Sequence, residues 1–126
     1  MQTKRKPALP EAELLDHYYL ASLQNALGLA VTRDVLADGL IEVSDRLDHL
    51  TEEAKLGERQ KASRIAHDIA GSAGHMGLQA LSVAARKLEQ DLMAEPPEPL
   101  LDRVADFLRL GPVSLTALRV HIDHLG

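Results

Sequence analysis

Apolar residues recur at alternating steps of three and four along most of this chain, the spacing that lays a single stripe along a helix, and no segment alternates strictly as a strand would. Leu14, Leu15, Tyr18, Leu20, Leu23 and Leu27 predict a first helix with an irregular stripe, which Gly28 can end in a left-handed conformation. Thr32 stands where it can cap a second helix, whose stripe runs through Leu36, Leu40, Val43, Leu47, Leu50 and Ala54 to a natural stop at Gly57. A third helix is predicted from about Glu58, with Ile65, Ala66, Ile69, Ala73 and Met76 on its apolar side, and it gives out near Gly77. A fourth carries Leu78, Leu81, Ala85, Leu88 and Leu92. Glu95-Pro96-Pro97-Glu98-Pro99 cannot continue it, because proline lacks the amide donor and clashes with the preceding turn, so this run is a loop. Beyond it Leu101, Val104, Leu108, Leu115, Leu118, Ile122 and Leu125 keep one phase across Gly111-Pro112, which predicts one last helix kinked at that point.

The pattern predicts an all-α fold, an antiparallel four-helix bundle with an additional short N-terminal helix, since short connections favour antiparallel neighbours. At 126 residues the chain suits one domain. Residues 1–10, with Lys4, Arg5 and Lys6 followed by Pro7 and Pro10, read as a flexible tail, and residues 11–126 as a single helical domain. Hydrophobic residues make up 45% of the chain but aromatics only 2%, so Leu, Val, Ile and Ala must fill the core, which suits helix packed on helix.

A net charge of −5 removes the broad positive field that a nucleic-acid partner needs. No run approaches the ~18 apolar residues of a membrane span, and the N-terminus has no apolar signal region. With no cysteine, disulfides, thiolate metal sites and cysteine nucleophiles are excluded together. These features lead to the expectation of a soluble, unexported, cytoplasmic protein whose covalent chemistry, if any, uses another nucleophile.

His67 is the candidate. On a helical wheel it lies about 160° from Ile69, so its imidazole points away from the core. Within about 60° of it the wheel places Gln60, Ser63, Arg64, Ala70, Gly71 and Gly74. An interior glycine costs a helix about 1 kcal/mol against alanine, so two on a solvent face call for a reason. Close approach by a partner supplies one, because without side chains at Gly71 and Gly74 another protein's backbone can reach the imidazole, and Ala70 keeps the surface low. His75, about 80° around the helix, borders this patch. A neutral imidazole is nucleophilic near pH 7 when its other nitrogen holds the proton, and a carboxylate or amide on the neighbouring fourth helix can accept that proton's hydrogen bond. His121 and His124 share a helix face, but no further ligand accompanies them, and no metal site is expected. No Gly-rich phosphate loop with its lysine is present.

Ala66-His67-Asp68-Ile69-Ala70-Gly71-Ser72-Ala73, followed by Met76-Gly77-Leu78 and Leu88-Glu89, resembles the signature of histidine-containing phosphotransfer (HPt) domains. The resemblance covers the third and fourth helices. It implies a helical bundle without kinase machinery of its own, whose His67 accepts phosphoryl from an aspartyl phosphate on one receiver domain and donates it to an aspartate of another. Response regulator receivers, and a hybrid sensor histidine kinase, are the partners it implies, and the expected state is a monomer. It also implies that Glu89 orients His67, that no cofactor is bound and that magnesium belongs to the receiver. One position departs from the family pattern: the usual lysine three residues after the histidine is Ala70 here. Arg64, one turn before His67, is a candidate substitute for that charge. The alternative is a non-catalytic HPt-like interaction domain that docks receivers or kinases without carrying phosphoryl.

Overall fold

A computed structural model describes residues 11–94 and 99–125, so the tail expected over residues 1–10 and most of the proline loop lie outside the described residues. Six helices follow one another: α1 (Glu11–Leu14), α2 (His17–Leu27), α3 (Leu29–Lys55), α4 (Arg59–His75), α5 (Gln79–Met93) and α6 (Leu100–Asp123), with no strand among the described residues. The four long helices α3 to α6 each contact two others in a closed cycle, α3 on α4, α4 on α5, α5 on α6 and α6 back on α3. Their apolar stripes meet in one core, in which Leu36, Val43, Leu50, Ile69, Leu81, Leu92, Val104 and Leu118 are fully enclosed.

The expected first helix is in fact two. The chain breaks after α1, where Leu14 and Leu15 are both buried, and restarts at Asp16, whose carboxylate accepts from the Tyr19 amide at 2.9 Å. An aspartate side chain competes with the backbone for such amides, which is why it favours a helix start over a helix interior. Tyr18, placed in the stripe by periodicity, is 86% exposed. This N-terminal segment covers the α4–α5 turn: the Asp16 amide donates to the Gly77 carbonyl at 2.8 Å, the Tyr19 hydroxyl to the His75 carbonyl at 2.9 Å, and the Gln79 amide group to the carbonyls of Glu13 and Leu15.

Thr32 does not cap α3. That helix starts at Leu29 directly after Gly28, whose φ of +84° serves the end of α2 and the start of α3 together. Thr32 lies buried one turn inside, donating to the Leu23 carbonyl at 3.5 Å. The expected stripe of α3 is buried in full. In α6 the helix runs continuously through Pro112, but its buried line is Val104, Phe107, Gly111, Ser114, Leu118 and Ile122, while Leu101 is exposed and Leu108 and Leu115 only half-buried. Gly111 lies on this buried line: a Cβ there would come within 2.7 Å of the end of the Leu47 side chain, so α6 passes α3 closely at this glycine.

Gly77 closes α4 under a double constraint. Its φ is +73°, and a Cβ would lie 2.8 Å from Leu20 of α2. Gly77→Ala should therefore both strain the backbone and push α2 off the turn. The expected cost is about 2 kcal/mol, read as a lowered urea midpoint with an unchanged slope.

Candidate functional site

His67 sits in the middle of α4 with 67% of its side chain exposed. Its Nδ1 lies 3.1 Å and 3.2 Å from the two carboxylate oxygens of Glu89 on α5, a side chain that is 34% exposed. An ionised carboxylate only accepts, so Nδ1 carries the proton and donates it to Glu89. In the neutral ring Nε2 is then the nitrogen with the free lone pair. The pair fixes at once the tautomer and the orientation of the ring.

Hydroxyl groups staple α4 to α5 on either side of this pair. One turn before His67, the Ser63 hydroxyl donates to the Glu89 carbonyl at 3.1 Å. One turn after it, the Ser82 hydroxyl donates to the Ala70 carbonyl at 2.8 Å. Further out, the Arg59 guanidinium reaches the Ala94 carbonyl at 3.3 Å. The backbone that carries Glu89 is thus itself held against α4, which leaves the brace little freedom to swing away.

Ser63 and Ala70 require a correction. The wheel places them on the outer face, but they are 5% and 2% exposed and form part of the α4–α5 seam. A helix of small residues admits its neighbour closely, and here Ala66, Ala70 and Ala73 of α4 face Leu81, Ser82 and Ala85 of α5, all buried. That close approach widens the covered arc until it takes in positions about 40° and 60° from His67. Gln60, Arg64, Gly71, Gly74 and His75 are exposed. Gly71 has open space where a Cβ would stand. Gly74 differs, since a Cβ there would meet the Ser82 hydroxyl at 3.4 Å, so this glycine also belongs to the packing of α5. Gln60 and His75 lie about 10 Å and 12 Å along the axis from His67, at opposite ends of the exposed face.

Ser82 was not singled out from the sequence. Its signal was present, a lone hydroxyl beside the apolar stripe of the fourth helix, but which carbonyl it meets depends on the pairing of helices. Among the described residues no group of three or more His, Asp or Glu side chains is placed to hold a metal ion. No described helix is long and apolar enough to cross a membrane.

Nε2 of His67 stands on the exposed face of α4. A groove of about 370 Å³, lined by Leu40, Ile41, Ser44, Asp45, Leu115, Thr116 and Arg119, lies instead between α3 and α6. An imidazole presented this way does not by itself exclude water from chemistry at Nε2.

A family model described as Hpt domain matches residues 34–125, more than half of the chain, beginning within α3 and leaving α1 and α2 outside. No curated protein and no solved structure matches the chain.

Proposed function

Since this chain belongs to the Hpt domain family, we propose that it is the phosphotransfer intermediate of a multistep His-Asp relay, with His67 as the residue that carries phosphoryl between receiver domains. The observation that carries this reading is the braced and exposed imidazole, Nδ1 held at 3.1 Å by Glu89 and Nε2 left free. The helix arrangement that goes with it is an antiparallel four-helix bundle. In support, the contacts Arg59 to Ala94, Ser63 to Glu89 and Ala70 to Ser82 run up α4 as they run down α5.

In the proposed step the lone pair of Nε2 attacks the phosphorus of a receiver's aspartyl phosphate. The N–P bond forms as the P–O bond to the aspartate breaks, and the aspartate keeps the electron pair as a carboxylate. The Nδ1 proton stays in its hydrogen bond, and the positive charge that develops on the ring is balanced by the Glu89 carboxylate. Return transfer to a second receiver reverses each change. The receiver brings magnesium and most of the charge stabilisation, in keeping with a nucleophile that lies on an open surface. Gly71, with Gly74, Gln60, Arg64 and His75 around it, forms the platform on which the receiver docks. Ser63 and Ala70 serve from beneath, by holding α5 and its glutamate in place. In this reading the protein is a cytoplasmic monomer whose partners are receivers and a hybrid kinase.

The reading is tested by incubating the protein with a panel of phosphorylated receivers and following label. Acid-labile, base-stable label on this chain, lost again on adding a second unphosphorylated receiver, is the expected result, and no label from any receiver would overturn it. In the same assay Glu89→Ala should slow transfer about 10- to 100-fold by freeing the ring. Glu89→Gln, whose amide oxygen still accepts from Nδ1, should lose less.

A further inference from the structure

Within one turn of His67, α4 places no cation on the seam side, and Arg59, the cation α4 turns toward α5, lies about 12 Å along the axis beside Ala94. Ala70 holds the position where the family pattern has lysine, and it is buried with its carbonyl engaged by Ser82. Arg64 does not fill that gap. It lies about 60° from His67 on the side away from α5, and so about 120° from Ala70. We propose that Arg86 of α5 supplies the missing charge and contacts the phosphoryl group on Nε2 of His67 from across the seam, an inference that rests on His67 being the phosphoryl carrier.

The register of α5 carries this placement. Arg86 follows Ser82 by four residues and precedes Glu89 by three, the spacings at which residues share a helix face. Ser82 is bonded to the Ala70 carbonyl and Glu89 to the His67 imidazole, so Arg86 stands between the two α5 residues whose side chains bond α4. It is turned further outward than Ser82, by about 40°, which makes it exposed where Ser82 is buried. Side chains on a helix tilt toward its N-terminus, which on α5 is the direction of Ser82 and so of Ala70 and Gly71 on α4. There the α4 residues nearest the seam are Ala70 and Gly74, neither with a side chain beyond Cβ to stand in the way. No hydrogen bond or ion pair among the described residues holds Arg86 elsewhere. A guanidinium suits the task, since its fork of donors can take two phosphoryl oxygens at once.

Ala70 and Arg86 thus form a matched pair. The small residue on α4 leaves the seam low, and the long cation comes from the other wall. The charge contacts phosphoryl in transit and on the histidine, and it stabilises phosphohistidine as well as speeding its formation.

The test uses the full chain and a phosphorylated receiver that labels the wild type. Arg86→Ala should lower the transfer rate constant at saturating receiver about tenfold or more, and shorten the lifetime of the isolated phosphohistidine, followed by its phosphorus resonance. Arg86→Lys should recover part of both. Lys87→Ala, which removes an exposed cation about 100° further around the helix, should change neither. Wild-type rate and lifetime in Arg86→Ala would overturn the role of Arg86 and leave His67 untouched. A loss confined to KM, or an equal loss in Lys87→Ala, would overturn it as well, since either marks a general attraction for the receiver. A wild type that no receiver labels removes the premise, and the proposal falls with it.

Discussion

Replacing His67 with glutamine should abolish phosphoryl acceptance while leaving the bundle as stable as before. The imidazole is the nucleophile in the proposed step, and removing a nucleophile commonly costs a transfer reaction at least about 1,000-fold. No other group on the face can take its place at the same position. His75 lies about 12 Å further along α4, and Glu89 is the brace rather than an acceptor. The fold loses little. His67 is exposed and makes no core contact, and its one bonded partner is a half-exposed carboxylate, a type of surface pair that contributes about 0 to 1 kcal/mol. Circular dichroism and a urea titration should therefore superimpose on the wild type while label falls to background. Undiminished label on the variant would show that another residue carries the phosphoryl group.

Gly71→Leu should separate stability from function in the opposite direction. A side chain at Gly71 meets nothing within 4 Å of its first atom, and leucine is a far better helix former than glycine, so the variant should be about 0.5 to 1 kcal/mol more stable than the wild type. It also raises a branched side chain one turn beyond His67, on the proposed receiver platform. An overpacked contact of 1 to 3 kcal/mol corresponds to a loss of about 5- to 150-fold, so receiver-dependent transfer should fall by up to about 100-fold. Phosphorylation by a small-molecule donor such as phosphoramidate, which needs no docking, should survive. A stabilised variant that still transfers at the wild-type rate would mean that receivers approach from elsewhere. Gly74→Leu is a less clean probe, because Ser82 lies 3.4 Å from where its Cβ would stand and the seam would also be disturbed.

How far the site was legible follows from what a helical wheel knows. It gives the angle of each side chain about its own axis, and from that alone His67 opposes Ile69 and must be outside, as it is. It does not give the distance or direction of the neighbouring helix. Ser63 and Ala70, at intermediate angles, were misplaced for that reason. The α6 stripe departs similarly at Leu101, because the rotation of that helix follows from its packing on α3 and α5, long-range contacts that no local period contains. Asp16, which divides the expected first helix, is a local start signal set among the leucines of that stripe.

The sequence by itself determined that the chain is helical, that α3 buries Leu36 through Ala54 as one stripe, that α4 ends at Gly77, and that one histidine stands opposite a buried stripe beside an open glycine. These are properties of single helices, fixed by a 3.6-residue period and by residues that stop or permit it. Only the tertiary structure decided that Glu89 meets Nδ1, that Ser63 and Ser82 clamp the two helices around that contact, and that Ala70 lies within a seam rather than on a face. Each depends on the register between two helices, which is set by how closely their small residues let them approach.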